Sequence, residues 1–251
     1  MTAVDEHWAN HMVIEQDFTS PADSLAYLDW RDAEYRLFHE LMGLWGDHSE
    51  HTVLDYGCGP GSDLVGFHVY GHAREAIGMD VSKPALAAAR KRLRLHGVRA
   101  TLVRVHDSKP VIPLPDASID HIYCQGVLHH VSHPAEILRE FRRVLKPDGT
   151  AVVMVYNPDS AYIALCFVSQ EEFVAGADCA APIVRLWTQA EFRAMCEDAG
   201  FQVEYRGGYY TRDELAAWES GRRLPQFHDV DGMPYFDGRS AGLGSVYWLT
   251  R

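Results

Sequence analysis

The chain has 251 residues, with 23 basic against 35 acidic side chains, a net charge of −12 and an ordinary apolar fraction of 47%. That length supports one sizeable buried core with appendages. The acidic balance disfavours DNA or RNA as a ligand, because phosphate backbones are bound by clustered Lys and Arg. The one basic cluster, Arg90-Lys91-Arg92 with Arg94, lies in a helical pattern and reads as a solvated face.

Five cysteines, at 58, 124, 166, 179 and 196, follow no CxxC or Cys/His ligand spacing, as expected of a reduced, cytoplasmic protein without a metal site. The first ten residues lack the basic start and apolar core of a secretory signal. No run reaches the roughly 18 apolar residues of a membrane span. His11, His39, His48, His51, His68, His72 and His96 are scattered and read as surface residues.

Residues 1–51 read as an N-terminal helical cap. From Ala22 to Gly46, Leu25, Leu28, Tyr35, Phe38, Leu41, Met42 and Trp45 recur at helical spacing, after a start signal at Ser20-Pro21. This segment either packs on the sheet edge or forms a lid that presents Trp30, Arg31 and Tyr35 to a ligand.

From Thr52 strand and helix patterns alternate. TVLDY precedes the glycines of GxGxG at 57, 59 and 61, with a helix near Ser62–Tyr70. EAIGMDV is a second strand, Lys83–His96 a helix ended by Gly97, ATLVRVHD a third strand, IDHIYCQG a fourth, Pro134–Leu145 a helix and TAVVMVY a fifth strand. Such alternation predicts parallel strands with right-handed crossovers and a ligand at their carboxyl ends. Residues 157–185 read as an insertion shaping a substrate pocket. A helix follows at Thr188–Ala199, with Thr188 and Glu191 as capping box, then FQVEYRG as a strand and a helix at Thr211–Gly221. Residues 222–243 read as a long surface loop, and GSVYWLT as the last strand. The expected organisation is one domain over 1–251: cap 1–51, cofactor core 52–156, and substrate-side insertion with C-terminal strands 157–251.

Strand ends carry the chemistry. Asp80 closes the second strand, where an acid suits the two hydroxyls of a ribose. Asp107 closes the third, and Gln125-Gly126 the fourth. A nicotinamide site would want GxGxxG over a pyrophosphate, but here the third glycine comes one residue early and Pro60 occupies the loop.

As a set, VLDYGCGPG, GMDVS, VHDSKPVIPLPDASID and YCQGVLHHV with LREFRRVLKPDGTAVVMVY resemble the class I S-adenosylmethionine-dependent methyltransferases, in particular the quinone C-methyltransferase-like group. The resemblance covers about Thr52–Tyr156. It implies an α/β, Rossmann-like fold: a seven-stranded, mostly parallel sheet with the last strand antiparallel and helices on both faces. It also implies S-adenosyl-L-methionine as cofactor, with S-adenosyl-L-homocysteine as product. By that resemblance Asp55, Gly57, Cys58 and Gly59 lie by the methionine portion, Asp80 and Val81 by the ribose, Asp107 and Ser108 by the adenine, and Gln125 and Gly126 beneath the ligand.

Methyl transfer needs alignment above all, and a base only where the acceptor loses a proton. His129 and His130, just past the fourth strand, are the candidates, with His129 preferred, against a purely structural use of the pair. Tyr156 and Asn157 end the fifth strand toward the expected acceptor. The expected partner is a small-molecule acceptor methylated on O, N or C, bound by a monomer or homodimer without nucleic acid or membrane. A non-catalytic cofactor-binding scaffold and a protein methyltransferase are the alternatives.

Overall fold

The computed structural model describes residues 2–12, 16–167, 169–176, 181–236 and 239–251; Cys179 lies outside them. In chain order the elements begin with α1 (Ala3–Asn10), α2 (Pro21–Glu34), β1 (Tyr35–Arg36), α3 (Phe38–Met42), β2 (Thr52–Tyr56), α4 (Ser62–Val69), β3 (Glu75–Asp80), α5 (Lys83–Leu95) and β4 (Thr101–Arg104). They continue with β5 (Ile119–Gln125), α6 (Pro134–Val144), β6 (Leu145–Tyr156), α7 (Ala161–Cys166), α8 (Gln170–Gly176), α9 (Gln189–Asp198) and β7 (Gln202–Thr211). The last are α10 (Arg212–Glu219), β8 (Phe227–Val230), β9 (Met233–Phe236), β10 (Arg239–Ser240) and β11 (Gly244–Thr250).

The main sheet has the order β1-β7-β11-β6-β5-β2-β3-β4. The strands from β6 to β4 are parallel, and β11 runs antiparallel between β6 and β7. This is the expected seven-stranded, mostly parallel Rossmann-like sheet, extended by β1. Alternate residues of the central strands face opposite layers, as the two-residue period of a strand demands. Leu54, Ile122, Cys124 and Val153 pack with Ile137 and Phe141 of α6 and with Phe192 of α9. Val53, Tyr123, Val152 and Met154 pack with Phe38, Met42 and Phe67 on the other face. With both faces covered, β2 is buried along its whole length.

The chain leaves β2 toward β3 and β4, then returns to place β5 on the other side of β2. That reversal opens a crevice between the carboxyl ends of β2 and β5, where ligands of such sheets bind.

Four expectations are corrected by packing. The helix read over 22–46 is broken: α2 stops at Glu34, Tyr35 and Arg36 pair with Thr211 and Tyr210, and Leu37 turns with φ +67° into α3. A single straight helix would not serve both of its clusters, for Leu28 packs with Leu64 and Val65 while Phe38 and Met42 pack against Val53 and Tyr209. Residues 222–243 hold a three-stranded antiparallel sheet, β8-β9-β10, instead of a loop. Its Asp231-Gly232 turn has positive φ at both residues, +53° and +79°, as a two-residue hairpin requires. The basic cluster at 90–94 is not uniformly solvated either. Arg92 is buried, donates to Ser24 Oγ (2.7 Å) and Ser62 Oγ (2.7 Å), and lies 4.1 Å over the Phe18 ring.

His48 is likewise buried, not on the surface; burial lowers it to about 4, and it contacts His51 and His121. Among the described residues no helix is long and apolar enough to cross a membrane.

Candidate active site

The glycine loop is pinned to its neighbour strand. Gly57 N–H and Cys58 N–H both donate to the Met79 carbonyl of β3, at 2.7 and 2.9 Å. Gly57 has φ +82°, and a Cβ there would stand 2.2 Å from Val127 Cγ2, so both backbone and space exclude a side chain. Gly59, at φ +50°, differs: nothing lies within 4 Å of where its Cβ would be. It faces an opening.

Asp80 sits on the rim of that opening. Its Oδ2 accepts from Gly59 N–H (2.8 Å) and its Oδ1 from Ser82 N–H (2.8 Å). Burial raises its carboxyl above the usual range against the pull of these amides. The cavity enclosed by the strand ends has about 930 Å³ of empty space, counting its mouth. Gly57, Gly59, Asp80, Val81, Asp107, Gln125 and Gly126 all line it, as does His130. Among the described residues its charged lining consists of two carboxylates, with four histidines (His11, His106, His130, His133) and neither Lys nor Arg. A pyrophosphate would find neither Lys nor Arg among these residues. A ribose diol and a positively charged ligand fit this donor set, with room above Gly59.

Asp107 is already heavily engaged. It accepts from Ser132 N–H (2.7 Å), Ser132 Oγ (2.5 Å) and Thr2 Oγ1 (3.2 Å). The fourth wall of the cavity comes from α1 and the residues after it: Val4, Trp8, His11 and Met12. The sequence signal for this wall was the Thr2–Asp5 capping box, which the structure contains in full.

Other anticipated residues lie elsewhere. Asp55 is buried beneath the loop; burial, then Asp63 and Asp80, push its carboxyl well above the usual range while Arg31 pulls it down. The Cys58 sulfur packs inward on the Cβ position of Gly78, and Ser108 is exposed; neither lines the cavity. Arg31 makes a bidentate pair with Asp63 at 2.8 and 3.1 Å and covers the Phe38 ring. Trp30 is 50% exposed beside Tyr27, and Tyr35 packs on Phe38 and Tyr209. None of the three lines the cavity: Arg31 pairs with α4, Tyr35 packs on the sheet, and Trp30 meets Tyr27 of its own helix.

His129 and His130 part company. His129 is wholly buried, stacked on Tyr156 at 3.9 Å between ring centroids, and burial drives its imidazole well below the usual range. His130 lines the cavity, and its Nδ1 is 2.7 Å from the Ile183 carbonyl. A carbonyl only accepts, so the neutral ring carries its proton on Nδ1 and a lone pair on Nε2. Tyr156 also meets Phe173 edge-on. Asn157 accepts from Asp159 N–H and its own N–H donates to the Leu243 carbonyl, which ties β6 to the approach of β11. Arg185 donates to the Val131 carbonyl, and Arg212 pairs with Glu34 at 3.4 Å.

Residues 54–153 match the family model described as "Methyltransferase domain". A probable S-adenosylmethionine-dependent methyltransferase of Mycolicibacterium smegmatis is 31% identical over 187 residues, covering 72% of this chain and 61% of its own. A ubiquinone biosynthesis O-methyltransferase of Xanthomonas oryzae is 28% identical over 191 residues, covering 73% and 66%. The chain spans 39 to 61% of the length of other curated relatives and of the first of these. The crystal structure of the YcgJ protein from Bacillus subtilis superposes with a TM-score of 0.60 at 21% identity, over 85% of this chain and 99% of that one. The fold is therefore shared well beyond recognisable sequence.

Proposed function

We propose that the chain is a class I S-adenosylmethionine-dependent methyltransferase that transfers a methyl group from S-adenosyl-L-methionine to a small-molecule acceptor, a reading supported by the methyltransferase-domain match over residues 54–153 and by the S-adenosylmethionine-dependent relative. The observation that carries the reading is the lining: Asp80 at the end of β3, an unobstructed Gly59 and no Lys or Arg among the described lining residues. In this reading Asp80 takes the ribose hydroxyls, and the Gly57–Gly59 turn borders the methionine portion. Val81 and Gln125-Gly126 border the nucleoside.

Bound there, the cofactor supplies a methyl group activated on sulfur. The chain's own residues then align the acceptor and exclude water. His130 is the group we assign to proton removal, because Nε2 carries the lone pair while Ile183 fixes the ring. The acceptor atom, O, N or C, follows from which acidic proton His130 meets; the ubiquinone-pathway relative supports a small hydroxylated molecule.

Isothermal titration with S-adenosyl-L-homocysteine tests the premise, and a metabolite-extract screen with methyl-labelled cofactor finds the acceptor. With an acceptor in hand, His130→Gln should lower kcat by about 10²-fold or more, the usual scale of a positioned base, and leave homocysteine-product affinity within about threefold. An unchanged kcat returns His130 to a structural role.

A further inference from the structure

We propose that α1 is a lid that completes the cofactor cavity, latched by Thr2 and Asp5 onto Asp107, and that this latch governs how long cofactor and product stay bound. The inference rests on the methyltransferase reading. Among the described residues the other walls of the cavity come from the strand ends, the loops leaving them and the first turns of α5 and α6 (Ala85 and Ile137); the remaining wall is Val4 and Trp8 of α1 with His11 and Met12.

Among the described residues, Thr2 and Asp5 join that wall to Asp107 by hydrogen bonds. Asp5 Oδ1 accepts from Asp107 N–H (3.0 Å), and Thr2 Oγ1 donates to Asp107 Oδ2 (3.2 Å). Asp5 is 0% exposed, with His106 Nδ1 3.9 Å from its Oδ2. The same two residues start the helix: Thr2 N–H donates to Asp5 Oδ2 (3.0 Å) and Asp5 N–H to Thr2 Oγ1 (3.1 Å). Docking and folding of α1 are thereby one event, since losing Asp5 removes both the cap and the latch. On the other side, Ser132 holds the Asp107 carboxylate through its N–H and Oγ, so the anchor is rigid before the lid arrives. The Asp107 carboxylate thus belongs to the latch, which distinguishes it from Asp80.

The lid's inner face is apolar at Val4, Trp8 and Met12, so a bound nucleoside adds contact area that only the closed helix offers. Closure also sets the Trp8 ring edge-on to His130, 5.2 Å between centroids, at the assigned proton acceptor. Because substrate and product share the adenosyl portion, a lid that grips it slows product release as well as cofactor loss. Asp5 is accordingly a positioning residue that acts through Asp107 and Trp8.

The test compares wild type, Asp5→Ala, Asp5→Asn and Thr2→Ala for S-adenosyl-L-homocysteine affinity by calorimetry and for its dissociation rate by stopped-flow displacement. Asp5→Ala should release the ligand about 10- to 100-fold faster, the scale of one buried charge-assisted hydrogen bond. Asp5→Asn keeps an oxygen for the Asp107 N–H and should recover a large part of the slow release. Thr2→Ala, at a less buried position, should give a smaller acceleration and guards against a folding defect at Asp5. Equal dissociation rates in wild type, Asp5→Ala and Thr2→Ala overturn the lid alone. Absence of binding to wild type overturns the lid together with the methyltransferase reading.

Discussion

Asp80→Ala raises the dissociation constant for S-adenosyl-L-methionine by about 100-fold or more, while the folded protein persists. Two effects combine. The carboxylate that we assign to the ribose disappears, and so does the acceptor of two backbone donors, Gly59 N–H and Ser82 N–H, each at 2.8 Å. A hydrogen bond to a charged group contributes about 1.5–3 kcal/mol net, and each 1.4 kcal/mol is tenfold in affinity, so the loss of the ligand-facing bonds alone reaches that scale. Asp80→Asn retains one oxygen but turns an amide N–H₂ toward one of the two donors, so it should lie between wild type and alanine. Calorimetry with circular dichroism as the folding control decides the matter. An affinity within threefold of wild type in Asp80→Ala would remove the ribose assignment.

The second large effect concerns stability. Arg31→Ala should destabilise the fold by about 3–5 kcal/mol, the usual result of breaking a buried ion pair by removing one partner. The Arg31 guanidinium is 5% exposed, bidentate to Asp63 and 4.7 Å over the Phe38 ring. Its removal leaves Asp63 uncompensated beside Asp55, whose carboxyl already feels burial, Asp63 and Asp80 in that order. At about 2–4 °C per kcal/mol for a chain of this size, the thermal midpoint should fall by roughly 10 °C. The double variant Arg31→Met with Asp63→Leu should recover most of the loss, since a well-packed apolar pair is often no worse than a buried salt bridge. A single variant that melts within 2 °C of wild type would contradict this account.

Arg31 also illustrates what a linear reading misses. Standing among aromatics in an amphipathic segment, it suits either sheet packing or a lid facing a ligand; its partner lies 32 residues away on α4. Long-range charge pairing has no local pattern. The strand ends were legible for the opposite reason: the alternation of short apolar runs with helical segments placed Asp80, Asp107 and Gln125 in register at one end of the sheet, and all three do line the cavity. Asp55, still inside β2, lies on the strand face opposite Tyr56, which does line the cavity, while the direction of Cys58 in the tight loop depends on φ values that only the folded turn reveals. His129 and His130 are the same case one loop further on: a three-residue 3₁₀ turn, Leu128–His130, sends one imidazole under Tyr156 and the other into the cavity. The Asp231-Gly232 hairpin was readable from its dipeptide, and the Thr2–Asp5 box from its spacing, but each needed the neighbouring fold to show its use.

The position of β11 has a consequence for how the molecule assembles. It pairs along seven residues with β6 and along seven with β7, so an interior rung of the sheet comes from residues 244–250. The parallel half, β2 to β6, can form from local crossovers, whereas the gap between β6 and β7 closes only when a strand about ninety positions downstream of β6 arrives, at the entropic cost of a long loop. Until then two unpaired ladders face each other across an empty slot, each a template for a strand of another chain. Assembly is therefore expected to proceed in two stages: the nucleoside-binding half first, and last the insertion of a strand that seals the sheet against its neighbours.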